Sequence, residues 1–264
     1  MSSFTQNFRN SSERLTSPYG RREAEEKARQ LLHDGNVVGR IVYSTTGGPL
    51  RTIITGTKVR MSGIYQSVKS QQSQPYESPE ERTFMKLCEA DHSVRYWLSQ
   101  PHRLEMFVRG KVVKYFPDIE ILKVSGAHEV VEIKRDKRRE IRGELEAKLQ
   151  LAEQFYKILG FQLRIIDREE IYREPRCSNA EEIQRHAHST FSEAELFRVL
   201  EVISARKERA MRYGELVERL GGGVKGKKKL CAMVIRRIFM IDLNIPITDE
   251  TWVTQCPLDN EVRS

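Results

Sequence analysis

The stretch YFPDIEILKVSGAHEVVEIKRD, residues 115–136, decides the fold. Apolar and β-branched residues fill two segments on either side of Ser125-Gly126, which predicts two neighbouring strands joined by a turn. Glu132 and Lys134 are two residues apart, so on a strand they project from the same face. The turn places that face beside Pro117-Asp118. The stretch therefore predicts a cluster of two carboxylates and one amine.

This cluster has the composition of a metal-dependent phosphodiesterase site. Hard divalent cations such as Mg²⁺ prefer oxygen ligands, so Asp118 and Glu132 are candidate metal ligands, and Mn²⁺ can substitute. A bound cation polarises a phosphodiester and lowers the pKa of an attacking water. Lys134 adds a positive charge that can orient the water or neutralise developing phosphate charge. Glu81, on a preceding predicted helix, is a candidate third carboxylate ligand.

The charged triplet also has a purely structural explanation, because edge strands often carry such residues on a solvated face. Val131 and Ile133 would then face the core while Glu132 and Lys134 face water. The order of the surrounding elements favours the chemical interpretation. Ser78-Pro79-Glu80-Glu81 is typical of a helix start, since serine caps free amides, proline suits the first turn and acids complement the helix dipole.

The remaining pattern predicts an α/β core with a mixed sheet. Helices are expected over 79–90 and, as one long amphipathic helix that ends at Gly160, over 138–159. Strands are expected over 96–98, 104–108, 112–122, 130–134 and 161–166, with two or three more between 37 and 68 and a polar linker or loop at 70–75.

A second, smaller domain is expected toward the C-terminus. Helices are predicted over 192–205, 213–220 and 225–243, followed by a terminal hairpin or wing. Three helices with the turn Gly221-Gly222-Gly223 before a basic third helix resemble a winged helix-turn-helix. The predicted organisation is an arm and short helix at 1–35, the α/β domain at 36–175, a linker at 176–190 and the small domain at 191–264.

The composition favours a folded protein with an anionic partner. The 264 residues include 45 Lys and Arg against 37 Asp and Glu, a formal charge of +8. Such an excess of base favours nucleic acid. A hydrophobic content of 39% and a mean hydropathy of −0.56 are typical of globular proteins and exclude a largely disordered chain.

The same composition argues against membrane insertion, secretion and disulfide bonding. No apolar segment approaches the ~20 residues that span a bilayer, and the first residues lack a secretory apolar core. We therefore expect no membrane contact and a cytoplasmic location. The four cysteines have no CxxC spacing, so reduced thiols are expected.

Basic residues concentrate in two places that suit phosphate contacts. One is the predicted third helix of the small domain and the other follows the strand that carries Glu132. The candidate DNA-binding residues are Lys225, Lys227, Lys228, Lys229, Arg236 and Arg237 in the first place and Arg135 and Lys137 in the second. A solvated helix face or a protein contact remains open for the helical cluster.

The residues around the central stretch resemble those of one family. The run YESPEERTFMKLCEADHSVRYWLSQPHRLEM, residues 76–106, with the PD strand and VEIK at 131–134, resembles the TnsA-type transposon endonucleases of the PD-(D/E)xK restriction-endonuclease-like superfamily. In that family an E-S-x-x-E helix precedes a Q-P segment, which Gln100-Pro101 matches. The lead-in VRMSGIYQSVKSQQ, residues 59–72, is similar as well. Motifs carry the resemblance over about residues 55–170, and architecture alone carries it over 191–264.

The resemblance implies a restriction-endonuclease-like mixed sheet flanked by helices and a Mg²⁺-dependent DNA endonuclease. Such enzymes cut the non-transferred strand at transposon ends together with a DDE transposase, and an ATPase regulator docks on the C-terminal domain. The family's helix glutamate falls on Glu81, its metal aspartate on Asp118, its metal-side residue on Glu132 and its lysine on Lys134.

Two points stay open from the sequence. Glu77 and Glu80 compete with Glu81 for the helix acid, and Glu81 is preferred as the last acid of E-S-x-x-E. The function also has two alternatives: a non-catalytic DNA-binding or assembly protein that uses a nuclease-like fold as a scaffold, and an independent restriction or defence nuclease.

Overall fold

The computed structural model of the protein describes residues 39–50, 62–108 and 111–257. The predicted N-terminal arm and the short helix after it lie outside these residues, as does part of the predicted strand region between 37 and 68. The chain forms two compact units. The first comprises Met1–Gln66, Ser70–Glu81 and Tyr96–Arg168, and the second comprises Ser67–Lys69, Arg82–Arg95 and Glu169–Ser264.

The first unit contains most of the strands. They are β1 (Gly39–Tyr43), β2 (Gly63–Gln66), β3 (Ser73–Tyr76), most of β4 (Val94–Ser99), β5 (His102–Val108), β6 (Lys111–Tyr115), β7 (Ile119–Lys123), β8 (His128–Lys134) and β9 (Phe161–Asp167). Its helices are the first turn of α1 (Pro79–Ala90), then α2 (Lys137–Glu140) and α3 (Glu144–Ile158). The predicted α/β architecture is confirmed at this level.

These strands form three sheets, and the four-stranded one is mixed. It has the order β4-β7-β8-β9, in which β7 and β8 are antiparallel and β8 and β9 are parallel. The second sheet is an antiparallel β1-β5-β6 arrangement, and β2 pairs with β3. A cluster of buried side chains from α3, β5, β6 and β8, including Leu104, Val130, Phe155 and Tyr156, forms the core of the first unit.

Strand β8 differs from the expectation of one core face and one solvated face. Val130, Val131, Glu132 and Ile133 are all buried, because β8 lies between β7 and β9 in a sheet covered on both sides. Glu132 is only 5% exposed. The explanation of the charged triplet as a solvated edge is therefore wrong for Glu132.

Three boundaries in the first unit depart from the sequence prediction. The strand predicted over 112–122 is two strands, because Pro117 has no amide to donate and interrupts the ladder. The helix predicted over 138–159 breaks before Gly143, whose φ of +59° is not helical. The linker predicted at 70–75 includes the start of β3, in which Gln74 is fully buried.

The second unit holds the rest of α1 and the C-terminal elements. These are α4 (Arg168–Ile171), most of which belongs to this unit, α5 (Arg176–Gln184), α6 (Glu193–Ser204), β10 (Ala210–Arg212), α7 (Tyr213–Arg219), α8 (Gly223–Ile235), β11 (Phe239–Ile241) and β12 (Trp252–Gln255). Three strands form an antiparallel sheet in the order β10-β12-β11. The predicted start of α6 is confirmed, since Ser192 and Glu195 cap it reciprocally.

Two predictions for the second unit need correction. The linker predicted at 176–190 begins with helix α5, because Cys177, Ala180 and Ile183 recur at helical spacing and are buried. The third helix, predicted over 225–243, ends at Ile235. The apolar residues after it form β11, which pairs with β12.

Helix α8 is enclosed over most of its length. Its last seven residues, 229–235, are buried on every side of the helix. Helices α5 and α7 both pack against it. Solvent reaches mainly the first turns, where Val224, Lys225 and Lys228 are exposed. Within the described ranges, no helix is long and apolar enough to cross a membrane.

The close approach of α7 and α8 gives a test of this packing. A methyl group at Gly226 would overlap the main-chain carbonyl oxygen of Val217. Glycine to alanine inside a helix usually stabilises by about 1 kcal/mol. Here we expect Gly226→Ala to destabilise by roughly 1–3 kcal/mol, the range for overpacked sites. Urea unfolding measures the change, and Lys228→Ala on the exposed face of α8 should stay within about 0.5 kcal/mol of wild type.

Candidate active site

Asp118 is held at the start of β7 by main-chain contacts on both sides. Its amide donates to Val131 O at 3.2 Å, and its carbonyl accepts from the amide of Gln100 at 2.7 Å. The side chain turns toward β8, where Asp118 Oδ2 accepts from the amide of Ile133 at 2.6 Å. Since Ile119 pairs with Val131, Asp118 lies level with Glu132. The predicted juxtaposition of these two carboxylates is present.

Glu132 lies between a phenol and an ammonium group. Tyr115 Oη donates to Glu132 Oε2 at 2.8 Å, and Lys134 Nζ lies 2.5 Å from Glu132 Oε1. Burial raises the pKa of Tyr115 well above its usual value, and the charge of Glu132 adds to this effect. Tyr115 therefore stays protonated and keeps donating.

The positive charge of Lys134 is stabilised by its surroundings. Burial alone would lower the pKa of Lys134, but the charge and hydrogen bond of Glu132, with Asp118 beyond, raise it above the ordinary value. The ammonium therefore stays protonated at neutral pH and acts as a fixed cation.

Glu81 is the helix acid that faces this pair, and its carboxylate also caps α1. Glu81 Oε2 accepts from the amide of Glu77 at 2.8 Å, and Oε1 accepts from Ser78 Oγ at 2.9 Å. Ser78 Oγ in turn accepts from the amide of Glu81. Burial raises the pKa of Glu81, and the charges of Glu77 and Glu132 raise it further against these hydrogen bonds.

The pKa of Asp118 is raised well above its usual range. Burial is the largest cause, and the charges of Glu132 and Glu81 follow, opposed by the amide of Ile133 and by Lys134. Three carboxylates thus repel one another in a partly buried space, and Lys134 neutralises their negative charge only in part. Glu81, preferred over Glu80 from its motif position, is the helix acid that acts on Asp118.

Glu120 shows the opposite behaviour two residues further along the same face of β7. Its Oε2 lies 3.0 Å from Nδ1 of the buried His102, and its Oε1 lies 3.6 Å from Nδ1 of His128. Burial opposes ionisation of Glu120, but these two imidazoles prevail and lower its pKa to about 2. The counter-groups of Glu120 therefore outweigh the effect of burial, whereas the amide of Ile133 and the charge of Lys134 do not outweigh it at Asp118. Groups whose environments push their pKa values apart in this way often mark a functional site.

The donor chemistry of the cluster fits a hard divalent cation, although the side chains are not arranged around one. Asp118, Glu132 and Glu81 supply only oxygen donors, and their mutual repulsion is the condition that a cation relieves. Among residues 39–50, 62–108 and 111–257, no group of three or more His, Cys, Asp or Glu side chains is positioned to hold a metal ion. Each of the three carboxylates accepts a hydrogen bond or ion pair from the protein instead.

Two residues of the cluster have no signal in the sequence that marks their role. Tyr115 contacts Glu132 across seventeen residues of chain, and no local pattern marks that contact. Gln100 was noted only as part of a motif, yet its amide supports Asp118 and its side chain donates to Glu77 Oε1 at 3.3 Å. This last contact also places Glu77, the competing helix acid, beside the cluster.

The basic residues after β8 differ in their exposure and in their pairing. Arg135 is exposed, and Lys137 lies 3.4 Å from Asp167 Oδ2. Arg138 and Arg139 are exposed on α2. Asp136 supplies an anion at this helix start, since its Oδ1 accepts from the amides of Arg138 and Arg139 and its Oδ2 lies 3.2 Å from Arg139 Nε.

The basic residues of α8 do not form the continuous surface that the sequence predicted. Lys225 and Lys228 are exposed, and Lys227 Nζ pairs with Glu182 on α5 at 2.8 Å. Lys229 is buried, where it pairs with Glu195 and donates to Leu220 O. Its ammonium is part of the interior.

Arg236 and Arg237 also have internal roles. The guanidinium of Arg236 donates to the carbonyl oxygens of Ala187 and Ala232, each at 3.0 Å. Arg237 Nε donates to His92 O at 3.2 Å. Both arginines hold carbonyl groups of the second unit, and both are half-buried, so they contribute to its internal structure.

Comparison with protein-family models gives no match to the chain, and a search of curated proteins finds no significantly similar sequence. The geometry of the cluster therefore carries the functional argument.

The contrast between Asp118 and Glu120 gives a prediction. Asp118→Asn removes an ionisable group whose charged form is destabilised by burial and by the neighbouring carboxylates, and it keeps an oxygen for the amide of Ile133. We expect its melting temperature in EDTA to rise by about 2–4 °C, the effect of ~1 kcal/mol in a protein of this size. Saturating Mg²⁺ or Mn²⁺ should raise the melting temperature of wild type but not of Asp118→Asn.

Glu120→Gln is the matched control for this experiment. Since the pKa of Glu120 is lowered in the fold from 4.5 to about 2, its ionised form stabilises the protein at neutral pH, and this contribution is lost as the pH falls from 4.5 toward 2. Glu120→Gln should therefore melt at a lower temperature and still respond to the cation. An unstabilised Asp118→Asn that keeps the cation response would contradict the assignment.

Proposed function

We propose that the protein is a divalent-cation-dependent nuclease that hydrolyses phosphodiester bonds in DNA. The observation that carries the proposal is the grouping of Asp118, Glu132 and Lys134 on neighbouring strands, with the helix acid Glu81 close enough for its charge to act on Asp118. The raised pKa of Asp118, caused by burial beside two further carboxylates, supports a site that is completed by a cation.

Asp118, Glu132 and Glu81 are the residues that would hold Mg²⁺, with Mn²⁺ as a substitute. When bound, such a cation polarises the phosphodiester and lowers the pKa of the attacking water. Lys134, kept protonated by Glu132, supplies a fixed positive charge for the phosphate oxygens. Tyr115 orients Glu132 through its hydroxyl, so that one carboxylate oxygen is held while the other faces the ammonium.

The exposed arginines that follow β8 would place the DNA backbone beside this site. Arg135, Arg138 and Arg139 are within a few residues of Lys134 in the chain and are solvent-exposed. Arginines suit phosphate oxygens because their planar guanidinium donates in pairs. Contacts of this kind position a duplex without reading its sequence.

The second unit supports a more restricted proposal. The order of its last six elements, α6-β10-α7-α8-β11-β12, with sheet order β10-β12-β11, agrees with a winged-helix fold. In such folds the last helix usually enters the major groove. Because α8 is enclosed over residues 229–235, we propose that only its first turns, with Lys225 and Lys228, meet a nucleic acid.

A non-catalytic DNA-binding or assembly protein is the second candidate function. Two observations favour it. Each carboxylate accepts a hydrogen bond from the protein, and in the described part of the chain no three metal-ligating side chains surround a common centre. This candidate predicts DNA binding that depends on salt and no cleavage with Mg²⁺ or Mn²⁺, even after a transposase is added.

Action at transposon ends with a DDE transposase and an ATPase regulator remains a proposal that rests on the family resemblance. A DDE transposase gene beside the gene of this protein would favour that setting. Cleavage by the protein alone, without partners, would favour an independent restriction or defence nuclease.

A cleavage assay tests the proposed chemistry. Asp118→Ala and Lys134→Ala should each lower Mg²⁺-dependent cleavage by at least about 100-fold, the effect of removing one group that stabilises a transition state, while DNA binding persists. Lys123→Ala is the control, because Lys123 lies at the far end of β7 and pairs with Glu129. Full activity in both site variants would refute the proposal.

Neighbouring lysines on α8 test the DNA surface. Lys228→Ala should weaken binding to all DNA sequences alike and reduce the dependence of log affinity on log salt by about 1. Lys229→Ala should leave that dependence unchanged and destabilise by about 1–3 kcal/mol, since it leaves an internal acceptor unsatisfied. Fluorescence anisotropy at several salt concentrations and urea unfolding separate the two effects. Equal loss of DNA affinity in both variants would exclude the proposed surface.

A further inference from the structure

Gln100 has a strained backbone conformation and lies between the strand that carries Asp118 and the segment that leads into Glu81. Its φ is +42°, a left-handed conformation that costs a residue with a side chain free energy. Such strain persists only where the surroundings impose it, and it concentrates at functional sites. The next residue is Pro101, which starts the turn into β5.

Main-chain bonds fix Gln100 on both sides. Its amide donates to Asp118 O at 2.7 Å, and its carbonyl accepts from the amide of Leu50 at 2.8 Å. The left-handed conformation lets the amide meet the Asp118 carbonyl while the side chain turns toward the start of α1. A single residue thus touches the strand that carries Asp118 and the segment that leads into Glu81.

The side-chain amide of Gln100 has a paired nitrogen and an oxygen without a partner among the described residues. Nε2 donates to Glu77 Oε1 at 3.3 Å. This contact fixes the orientation of the amide, because a flipped amide would set its oxygen against a carboxylate oxygen. Oε1 is then a buried acceptor with no hydrogen-bond partner among the described residues. A buried acceptor without a partner costs free energy, so a hydrogen bond from a ligand at this point would stabilise it.

We propose that Gln100 is a positioning residue of the candidate site, and that its Oε1 accepts a hydrogen bond from a water on the divalent cation. The inference rests on the proposed function, since it assumes a cation among Asp118, Glu132 and Glu81. A neutral amide suits this place because it adds an oxygen acceptor without adding charge to a cluster that already contains like charges. The contact with Glu77 then restrains that carboxylate beside the cluster.

Gln100→Gly separates this role from a purely structural one. Glycine removes the amide and adopts positive φ without strain. We expect its melting temperature without cation to rise by about 2–4 °C. Its affinity for Mn²⁺, measured by electron paramagnetic resonance or calorimetry, should fall 10- to 100-fold, the usual effect of losing an outer partner of a metal site.

Gln71→Gly is the matched control, because Gln71 is an exposed glutamine with φ of +53°. Its melting temperature should rise by a similar amount, and its Mn²⁺ affinity should equal that of wild type. Gln100→Asn, which tolerates the same backbone but has a shorter amide, should retain the fold and bind Mn²⁺ more weakly than wild type.

The outcomes distinguish this inference from the proposed function. Wild type that binds no Mn²⁺ overturns both. Wild type that binds Mn²⁺, together with Gln100→Gly of equal affinity, overturns only the role of Gln100. A Gln100→Gly variant that loses both affinity and melting temperature shows that Gln100 acts through folding, and it likewise overturns the inference.

Discussion

The register between β7 and β8 is the constraint on which the site depends. Pairing of Ile119 with Val131 sets Asp118 level with Glu132 and directs the amide of Ile133 to the Asp118 carboxylate. A slip of one residue would reverse the faces of β8 and bury Ile133 where Glu132 now lies. The parallel pairing of β8 with β9 fixes the same strand from its other edge. Repulsion between carboxylates is therefore imposed by a ladder of hydrogen bonds that local adjustment cannot relieve.

The two carboxylates of β7 illustrate how the protein divides structural from chemical roles. Glu120 is surrounded by imidazoles, and its charge is compensated within the fold. Asp118 receives one amide and faces other acids. Groups of the protein compensate the charge of Asp118 only in part. Incomplete compensation is usual for a residue whose partner comes from outside the fold.

Local patterns were sufficient to predict the elements that form the site. Alternation and the Ser125-Gly126 turn predicted β8 and one strand before it, and the capping residues predicted the start of α1, because these features depend on neighbours a few residues apart. The division of that earlier strand into β6 and β7 at Pro117 was not predicted. Contacts between distant segments could not be predicted in this way. Tyr115 meets Glu132 only after the strands assemble, and the positive φ of Gln100 has no signal in a residue type that rarely adopts it. The same limit explains α8: its lysines are close together in the sequence, but Lys227 pairs with Glu182 of α5 and Lys229 with Glu195 of α6, and no local pattern marks these contacts.

The double use of Glu81 links the candidate site to the folding of a helix. Its two carboxylate oxygens close the first turn of α1 through the amide of Glu77 and the hydroxyl of Ser78. Any ligand that draws this carboxylate away competes with the helix for it. The first turn of α1 would then exchange its amide hydrogens faster when the ligand is bound, even as the strands around Asp118 become better protected. Opposite changes in protection within one small region would be a physical signature of a helix cap that has been recruited as a ligand.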